Sequence, residues 1–374
     1  MDQTIADVLI IGGGMAGVGC AAMLPNDVTV VLLEAEPHCG YHATGRSAAA
    51  WIAGYGGPEI RVLTLQSKAY LSNPPTALGE AGFLSPRGEM LLARSDVEER
   101  ELDTLLCATP DLTEISTQAA IGHVPVLRKE GLRRAAFAEE AFDIDADRLL
   151  QAWLRTLAQR PNAQVSTTQS VTAISRFEGH WKITTANEQT WLARKVVNAA
   201  GAWADPLAAL VGLAPLGLIP HRRSAALLPP PAGHDVNAWP LIVSADESWY
   251  ARPLGGKLMV SPADETPTTA HDAFAEELTI AEGLDRFEQA VTTDVTRVET
   301  TWAGLRTFAP DRVPVVGEDP EADGFFWLAG QGGYGIQTAP ALCALAARLL
   351  SKQPLNAWQQ ELVPHLAPAR LISG

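Results

Sequence analysis

Between Ala6 and Glu34 the chain reads ADVLIIGGGMAGVGCAAMLPNDVTVVLLE, an order of residues that few folds accept. Ala6–Ile11 is a short apolar run, the mark of a strand buried on both faces. Gly12-Gly13-Gly14-Met15-Ala16-Gly17 follows at once and fits G-x-G-x-x-G. In that pattern the first glycine permits the turn, the second lets a pyrophosphate approach the backbone, and the third lets helix and strand pack closely. Met15–Leu24 predicts a helix whose free N–H groups and positive dipole end face the phosphates. Val28–Leu33 predicts a second, parallel strand closed by Glu34. A carboxylate there accepts both ribose hydroxyls of an adenosine and repels a 2′-phosphate. A glycine turn used only for packing explains the glycines but not Glu34, so the segment points to a dinucleotide site.

The 374 residues suffice for one large or two medium domains, and 47% hydrophobic with 19% charged residues is the balance of a soluble globular protein. A net charge of −15 argues against nucleic acid, whose phosphates demand a basic footprint. It mildly favours cationic small molecules, although solubility alone accounts for it. No run of about 18 apolar residues exists, so no membrane span is expected. The first strand starts so early that no signal peptide is expected before it. Cytoplasmic location is the expectation, with peripheral contact at the inner face of the membrane left open. Cys20, Cys39, Cys107 and Cys343 are widely spaced, with no C-x-x-C or Cys/His ligand spacing, so no metal site is expected.

Glu36–Ser47 reads as a polar loop in which Arg46 and Ser47 either donate to a second stretch of ligand or are simply solvated. Ser47–Ala53 predicts a buried helix, and Glu59–Leu71 a helix stopped by Asn73-Pro74-Pro75. Phe83–Leu84 and Glu89–Ala93 predict strands around the turn Ser85-Pro86-Arg87-Gly88, leaving Glu89 at a strand start. Ser95 and Asp145 are predicted caps for helices Ser95–Leu106 and Asp145–Ala158. Gln164–Thr168, Val171–Phe177 and His180–Thr185 predict a meander. Leu192–Asn198 predicts a strand ending in Asn198-Ala199-Ala200-Gly201, small residues suited to a backbone that meets a ligand. From Gly217 to Ser261 the strands are split by proline-rich loops with no helix between them, hence an antiparallel sheet. Thr296–Phe308 predicts a long strand. Pro314–Gly317 and Phe325–Ala329 return to the parallel style, and a helix is predicted over Gly335–Ser351. The expected fold is α/β, a Rossmann-like domain with an inserted, mainly antiparallel β domain. Residues 1–78, 146–215 and 306–374 form the first, residues 79–145 and 216–305 the second. A ligand between the two would be shielded from water.

Several segments together resemble the D-amino-acid oxidase superfamily of flavoproteins, and within it the bacterial FAD-dependent D-arginine dehydrogenases. They are GYHATGRSAA (40–49), LSPRGEM (84–90), VNAAGAW (197–203), RRSA (222–225), SADESWY (244–250), TWAGLRTF (301–308) and GGYGIQT (332–338). The resemblance implies an FAD-binding domain of the glutathione-reductase type, holding FAD noncovalently in an extended form. Its diphosphate would lie along Gly12, Gly14, Ala16 and Gly17, and its adenosine ribose at Glu34 and Ala35. Ala43, Thr44, Gly45, Arg46, Ser47 and Ala48, together with Gly304, would follow the ribityl chain and isoalloxazine. Val171 would touch adenine through its backbone. Gly332, Gly333, Tyr334, Gly335, Ile336 and Gln337 would bring N–H groups and a helix N-terminus to the flavin N1–C2=O edge.

On the substrate side, Arg223 and Arg306 match the two arginines that clamp a carboxylate. Tyr55 and Tyr250 match tyrosines of the site, with Gly333 beside them, and Glu89 matches a carboxylate that meets a cationic side chain. Arg222 alternates to the opposite strand face and is expected at the surface. Ala50 and Ile52 stand where the D-arginine enzymes have His and Thr, on what is expected to be a helix facing substrate. Their apolar character argues against strict D-arginine selectivity and opens room for apolar or bulkier D-amino acids. The implied activity is FAD-dependent oxidative deamination of D-amino acids. A hydride passes from Cα to flavin N5, and the imino acid is hydrolysed to a 2-oxo acid and ammonia. D-Arginine and D-lysine would be accepted through Glu89, and electrons would pass to a quinone or other acceptor. An oxygen-using amine, glycine or sarcosine-type oxidase is one alternative. A non-catalytic flavin-binding subunit of a hetero-oligomer is another, against which the paired arginines argue. A monomer or homodimer is expected.

Overall fold

The structure is a computed structural model and describes residues 5–79, 81–109 and 111–372. The first strand, Ile5–Ile11, lies inside an eight-stranded sheet. It pairs in parallel with Val30–Leu33 on one side and with Thr190–Asn198 on the other. Thr190–Asn198 then divides its outer edge. Its first half runs antiparallel to His180–Thr185, which carries Val171–Phe177. Its end pairs in parallel with Phe325–Ala329, whose antiparallel partner is Val315–Glu318. Every residue of Val30–Leu33 and of Phe325–Ala329 is buried, as strands covered on both faces must be.

One expected neighbour is placed elsewhere. The strand predicted at Gln164 runs Ala163–Ser166 and joins no meander; it pairs in parallel with Val30–Leu33 at the opposite edge. The helix Ala146–Ala158 delivers it there, and a helix between parallel strands is a crossover unit.

Met15–Met23 packs against Ala146–Ala158 and Ala339–Leu350. Gly19 makes the approach possible, because a Cβ there would lie 2.7 Å from the Trp153 ring and 2.8 Å from Cys343 Sγ. Trp153 is fully buried and donates its indole N–H to the Tyr70 hydroxyl at 2.8 Å. The predicted caps are present: Asp145 accepts from the Arg148 N–H at 3.1 Å and Ser95 from the Glu98 N–H at 3.2 Å. The helix predicted from Gly335 begins at Ala339, with Pro340 in its first turn, so the residues before it form a turn.

The second sheet has nine strands. Ile219–Leu228 runs beside Thr300–Phe308 on one edge and Lys257–Ser261 on the other. The order continues through Tyr250–Leu254, Leu241–Ser244, Glu89–Ala93, Arg134–Ala138 and Leu112–Ile115. All these pairs are antiparallel except Leu241–Ser244 against Glu89–Ala93. The last two strands had no counterpart in the sequence reading.

The helix expected at Ser47–Ala53 is not formed. Ala50–Ile52 is a strand paired with Ala141–Ile144, which also pairs with Leu84–Pro86, so part of the predicted turn is strand as well. Ala49 has φ +50°, which a right-handed helix cannot contain. This small sheet joins the two large ones. Asp143 on its central strand meets Arg87 Nη2 at 2.5 Å and Arg252 Nη2 at 2.7 Å. Among the described residues no helix is long and apolar enough to cross a membrane.

Replacing Trp153 with alanine should cost about 3–5 kcal/mol through loss of buried ring area and an unfilled space. Denaturant unfolding should show a lowered midpoint, and Trp153→Phe should recover most of it.

Candidate active site

A cavity of about 440 Å³ runs from the glycine loop to the second sheet. At its nucleotide end the glycines divide by role. Gly12 has φ +114°, and a Cβ there would lie 2.3 Å from the Ala199 carbonyl oxygen. A Cβ on Gly17, which sits beneath the turn, would lie 2.0 Å from the Gly12 carbonyl oxygen. Gly14 lines the cavity with φ −77°, and an added Cβ would meet nothing nearer than Thr44 Oγ1 at 3.4 Å. The protein itself places no demand for glycine there; a group occupying the cavity does. Ala16, Ala35 and Val171 also line this end. Glu34 is 8% exposed, and its two oxygens accept the N–H groups of Gly13 at 2.6 Å and Glu36 at 2.8 Å. Two backbone donors fix the carboxylate at the cavity wall, with acceptor capacity left for hydroxyls.

Along the middle, Ala43, Thr44, Arg46, Ser47, Ala48, Gly304, Gly332, Gly333, Gly335 and Ile336 line the cavity. Gly45 is behind the wall in a tight turn, its N–H donating to Gly40 O at 2.8 Å. Arg46 lines the cavity with its guanidinium largely engaged by protein. It donates to the carbonyls of Ala273 and Ala303 at 2.8 and 3.1 Å and to Asp272 at 2.5 Å. The N–H groups of Gly332 and Tyr334 are taken by Thr307 O and Gln331 O. Among the described residues those of Gly333, Gly335 and Ile336 meet no protein acceptor. Gln337 is buried behind the wall, donating to Thr64 Oγ1 at 2.9 Å and accepting from the Ile52 N–H at 3.3 Å. The sequence reading did not anticipate Tyr41, His42, Trp203, Met259, His271 and Ala273 in the wall. Tyr41, His42 and Trp203 lie inside segments that carry the resemblance without having been singled out, and no local motif marks Met259, His271 and Ala273.

At the sheet end, register decides the geometry. Arg223 pairs with Gly304, and His221 with Arg306, so Arg223, Gly304 and Arg306 share one face. Gly304 lets the loop carrying Ala43 and Arg46 approach the sheet, since a Cβ there would lie 3.4 Å from Arg46 Cβ and 3.8 Å from Ala43 Cα. Arg306 Nη1 donates to the Tyr55 hydroxyl at 3.2 Å. Among the described residues it has no carboxylate partner. Burial works against its charge, but Tyr55 and Tyr250 outweigh it and hold the guanidinium above its ordinary pKa. Arg223 Nε donates to Asp264 O at 2.7 Å, and its guanidinium lies 6.0 Å from the Tyr250 ring centroid. Burial works to raise the Tyr250 phenol, yet Arg306 and Arg223 leave it below its ordinary pKa. Tyr55 stands behind Arg306, edge-on to Tyr334 at 4.9 Å.

Arg222 corrects an expectation. It does point to the other face of its strand, but that face is covered. Arg222 is 7% exposed, 3.7 Å from Asp264 and 2.5 Å from Glu276. Ala50 and Ile52 are half-buried on their strand, outside the cavity wall. Glu89 is also outside the wall. Register places it on the Arg223 face of the sheet, two strands beyond Tyr250, a lateral step of about 10 Å. Burial, and then Glu247, push its carboxyl up to about 7. Among the described residues no group of three or more His, Cys, Asp or Glu could hold a metal ion.

Gly14→Ala should leave the thermal midpoint of the cofactor-free protein nearly unchanged while weakening cofactor binding at least tenfold. Gly17→Ala should lower that midpoint, at a cost of about 1–3 kcal/mol from overpacking. Thermal scans with and without cofactor separate the two.

The cavity thus has a helix N-terminus at one end, an oriented carboxylate beside it, and unused N–H groups near the paired arginines. A family model described as FAD dependent oxidoreductase (DAO) matches residues 7–349. A glycine oxidase from Geobacillus kaustophilus is 27% identical over 370 residues, spanning 93% of each chain. The crystal structure of glycine oxidase from that organism superimposes with a TM-score of 0.80 at 25% identity, covering 94% of this chain and 95% of the other. The dithionite-reduced L-alpha-glycerophosphate oxidase from Mycoplasma pneumoniae, solved with FAD bound, shares the fold. Its TM-score is 0.79 at 19% identity, with 96% of this chain and 98% of that one covered. The Gly14 cradle and the Glu34 carboxylate fit the cofactor these proteins use, and with the match running through nearly the whole sequence, this chain belongs to the family of FAD dependent oxidoreductases.

Proposed function

We propose that this enzyme oxidises the carbon–nitrogen bond of an amino acid, with D-amino acids as its substrates. Arg306 carries the reading: a half-buried guanidinium in the wall of an FAD cavity, with a tyrosine hydroxyl but no carboxylate among the described residues. Partial burial of a cation without a counter-ion is costly, and a substrate carboxylate supplies the missing charge. FAD, when bound, accepts the two electrons. Arg306 and Arg223 fix the carboxylate, and two charged donors on adjacent strands restrict the rotation of the substrate about it. Tyr250 borders that position and offers its hydroxyl to the amine end, while Tyr55 positions Arg306 from behind. The two cations lower the pKa of a nearby ammonium, which favours the neutral amine that oxidation requires. Glu89 and Glu247 lie toward the far end and suit a cationic side chain, while the apolar Ala50 and Ile52 suit a broader range. A quinone or similar carrier takes the electrons onward. A second reading, an oxygen-using oxidase of glycine or a related amine, draws on the glycine oxidase likeness.

Anaerobic mixing of the FAD-loaded enzyme with D- and L-amino acids tests the proposal. Bleaching of the flavin band by D-enantiomers is expected; bleaching by glycine alone, with peroxide formed in air, would favour the second reading. Arg306→Met should weaken carboxylate substrates by about 2–5 kcal/mol, or roughly 30-fold and more in kcat/KM. Glu89 should confer a pH dependence. Its folded pKa of about 7 exceeds its ordinary 4.5, so ionising it costs stability as pH rises between those values. A cationic substrate needs the ionised form. The KM of D-arginine should therefore fall between pH 6 and pH 8 relative to that of D-methionine, and Glu89→Gln should remove the difference.

A further inference from the structure

The two arginines of the clamp are not equivalent. Arg306 has no carboxylate among the described residues, whereas Arg223 faces Glu265. One oxygen of Glu265, Oε1, lies 3.9 Å from Arg223 Nη2 and 2.8 Å from Arg312 Nη2. The residue before it is rigidly held. The buried Asp264 carboxylate accepts the Ser224 N–H at 2.6 Å and the Ser224 hydroxyl at 2.9 Å, and Asp264 O accepts from Arg223 Nε. Glu265 itself is 35% exposed and has room to turn. Arg312 lies outside the cavity wall and is partly exposed. Its guanidinium lies 3.8 Å over the Phe308 ring, and Phe308 meets Tyr334, which meets Tyr55.

We propose that Glu265 is the resident counter-ion of Arg223, displaced toward Arg312 when a ligand carboxylate arrives. The inference rests on the carboxylate-clamp reading above. At 3.9 Å Glu265 holds Arg223 by charge and not by a hydrogen bond, and an incoming carboxylate competes with it for that guanidinium. Arg312 keeps the cost of displacement small, because Glu265 retains a cation at shorter range throughout. Glu265 touches no reacting atom, so it sets affinity and leaves the chemical step alone. Its negative charge beside the clamp also disfavours substrates with a second carboxylate nearby.

Acetate titrated into the FAD-loaded protein, followed by the flavin absorbance band and by calorimetry, is the test, with acetamide as the uncharged control. Glu265→Gln should bind acetate about fivefold more tightly, as expected for losing one partly exposed charge contact. Its kcat with a turned-over amino acid should stay unchanged. Arg312→Met removes the second home of Glu265 and should weaken acetate by a similar factor, and adding Glu265→Gln to it should restore the tighter binding. A purely structural Glu265 gives the opposite sign, weaker binding with a lowered thermal midpoint, and that result overturns the proposal. So does Arg312→Met binding acetate as wild type does. Arg306→Met is the separate control: if it binds acetate unimpaired, the clamp reading itself is wrong.

Discussion

Nine consecutive residue pairs fasten Ile219–Leu228 to Thr300–Phe308, and that ladder keeps two guanidinium groups side by side. Two like charges facing one cavity repel, and more strongly where water is excluded. Long side chains free to move would splay apart. Here the main-chain hydrogen bonds hold the strands, and each head is tethered. Asp264 O holds Arg223 and the Tyr55 hydroxyl accompanies Arg306. The positive pocket is therefore preorganised, so binding an anion needs little rearrangement.

The cavity in front of that pocket is built by both large sheets. Arg46 comes from the nucleotide side and donates to the carbonyls of Ala273 and Ala303 on the other. Arg252 and Asp143 join the layers again through the small sheet. The wall around the cofactor is thus continuous across the two architectures.

The nucleotide half was legible because each of its elements announces itself locally. A buried apolar run, a glycine turn and a closing carboxylate lie within one stretch of chain. The paired arginines were legible through the resemblance, and strand alternation correctly sent Arg222 to the other face. Alternation says nothing of what lies on that face, and here Asp264 and Glu276 cover it. Ser47–Ala53 misled because apolar composition does not separate a short buried strand from a helix. The strands Leu112–Ile115 and Arg134–Ala138 have no strong period of their own; Glu89–Ala93 holds Arg134–Ala138, which in turn holds Leu112–Ile115. The contact of Arg46 with Asp272 spans 226 positions, beyond the reach of any spacing rule.

Glu89 sits on the same sheet face as the clamp but two strands beyond Tyr250. Under the proposed function that separation would divide labour along a single molecule of substrate. The head common to all amino acids would be gripped at one end, and the tail that distinguishes them sampled at the other. The strands Glu89–Ala93 and Leu241–Ser244 carry none of the cavity wall. A lineage of such enzymes would then be free to change its diet by altering Glu89 and its neighbours, while the machinery at the head is inherited intact.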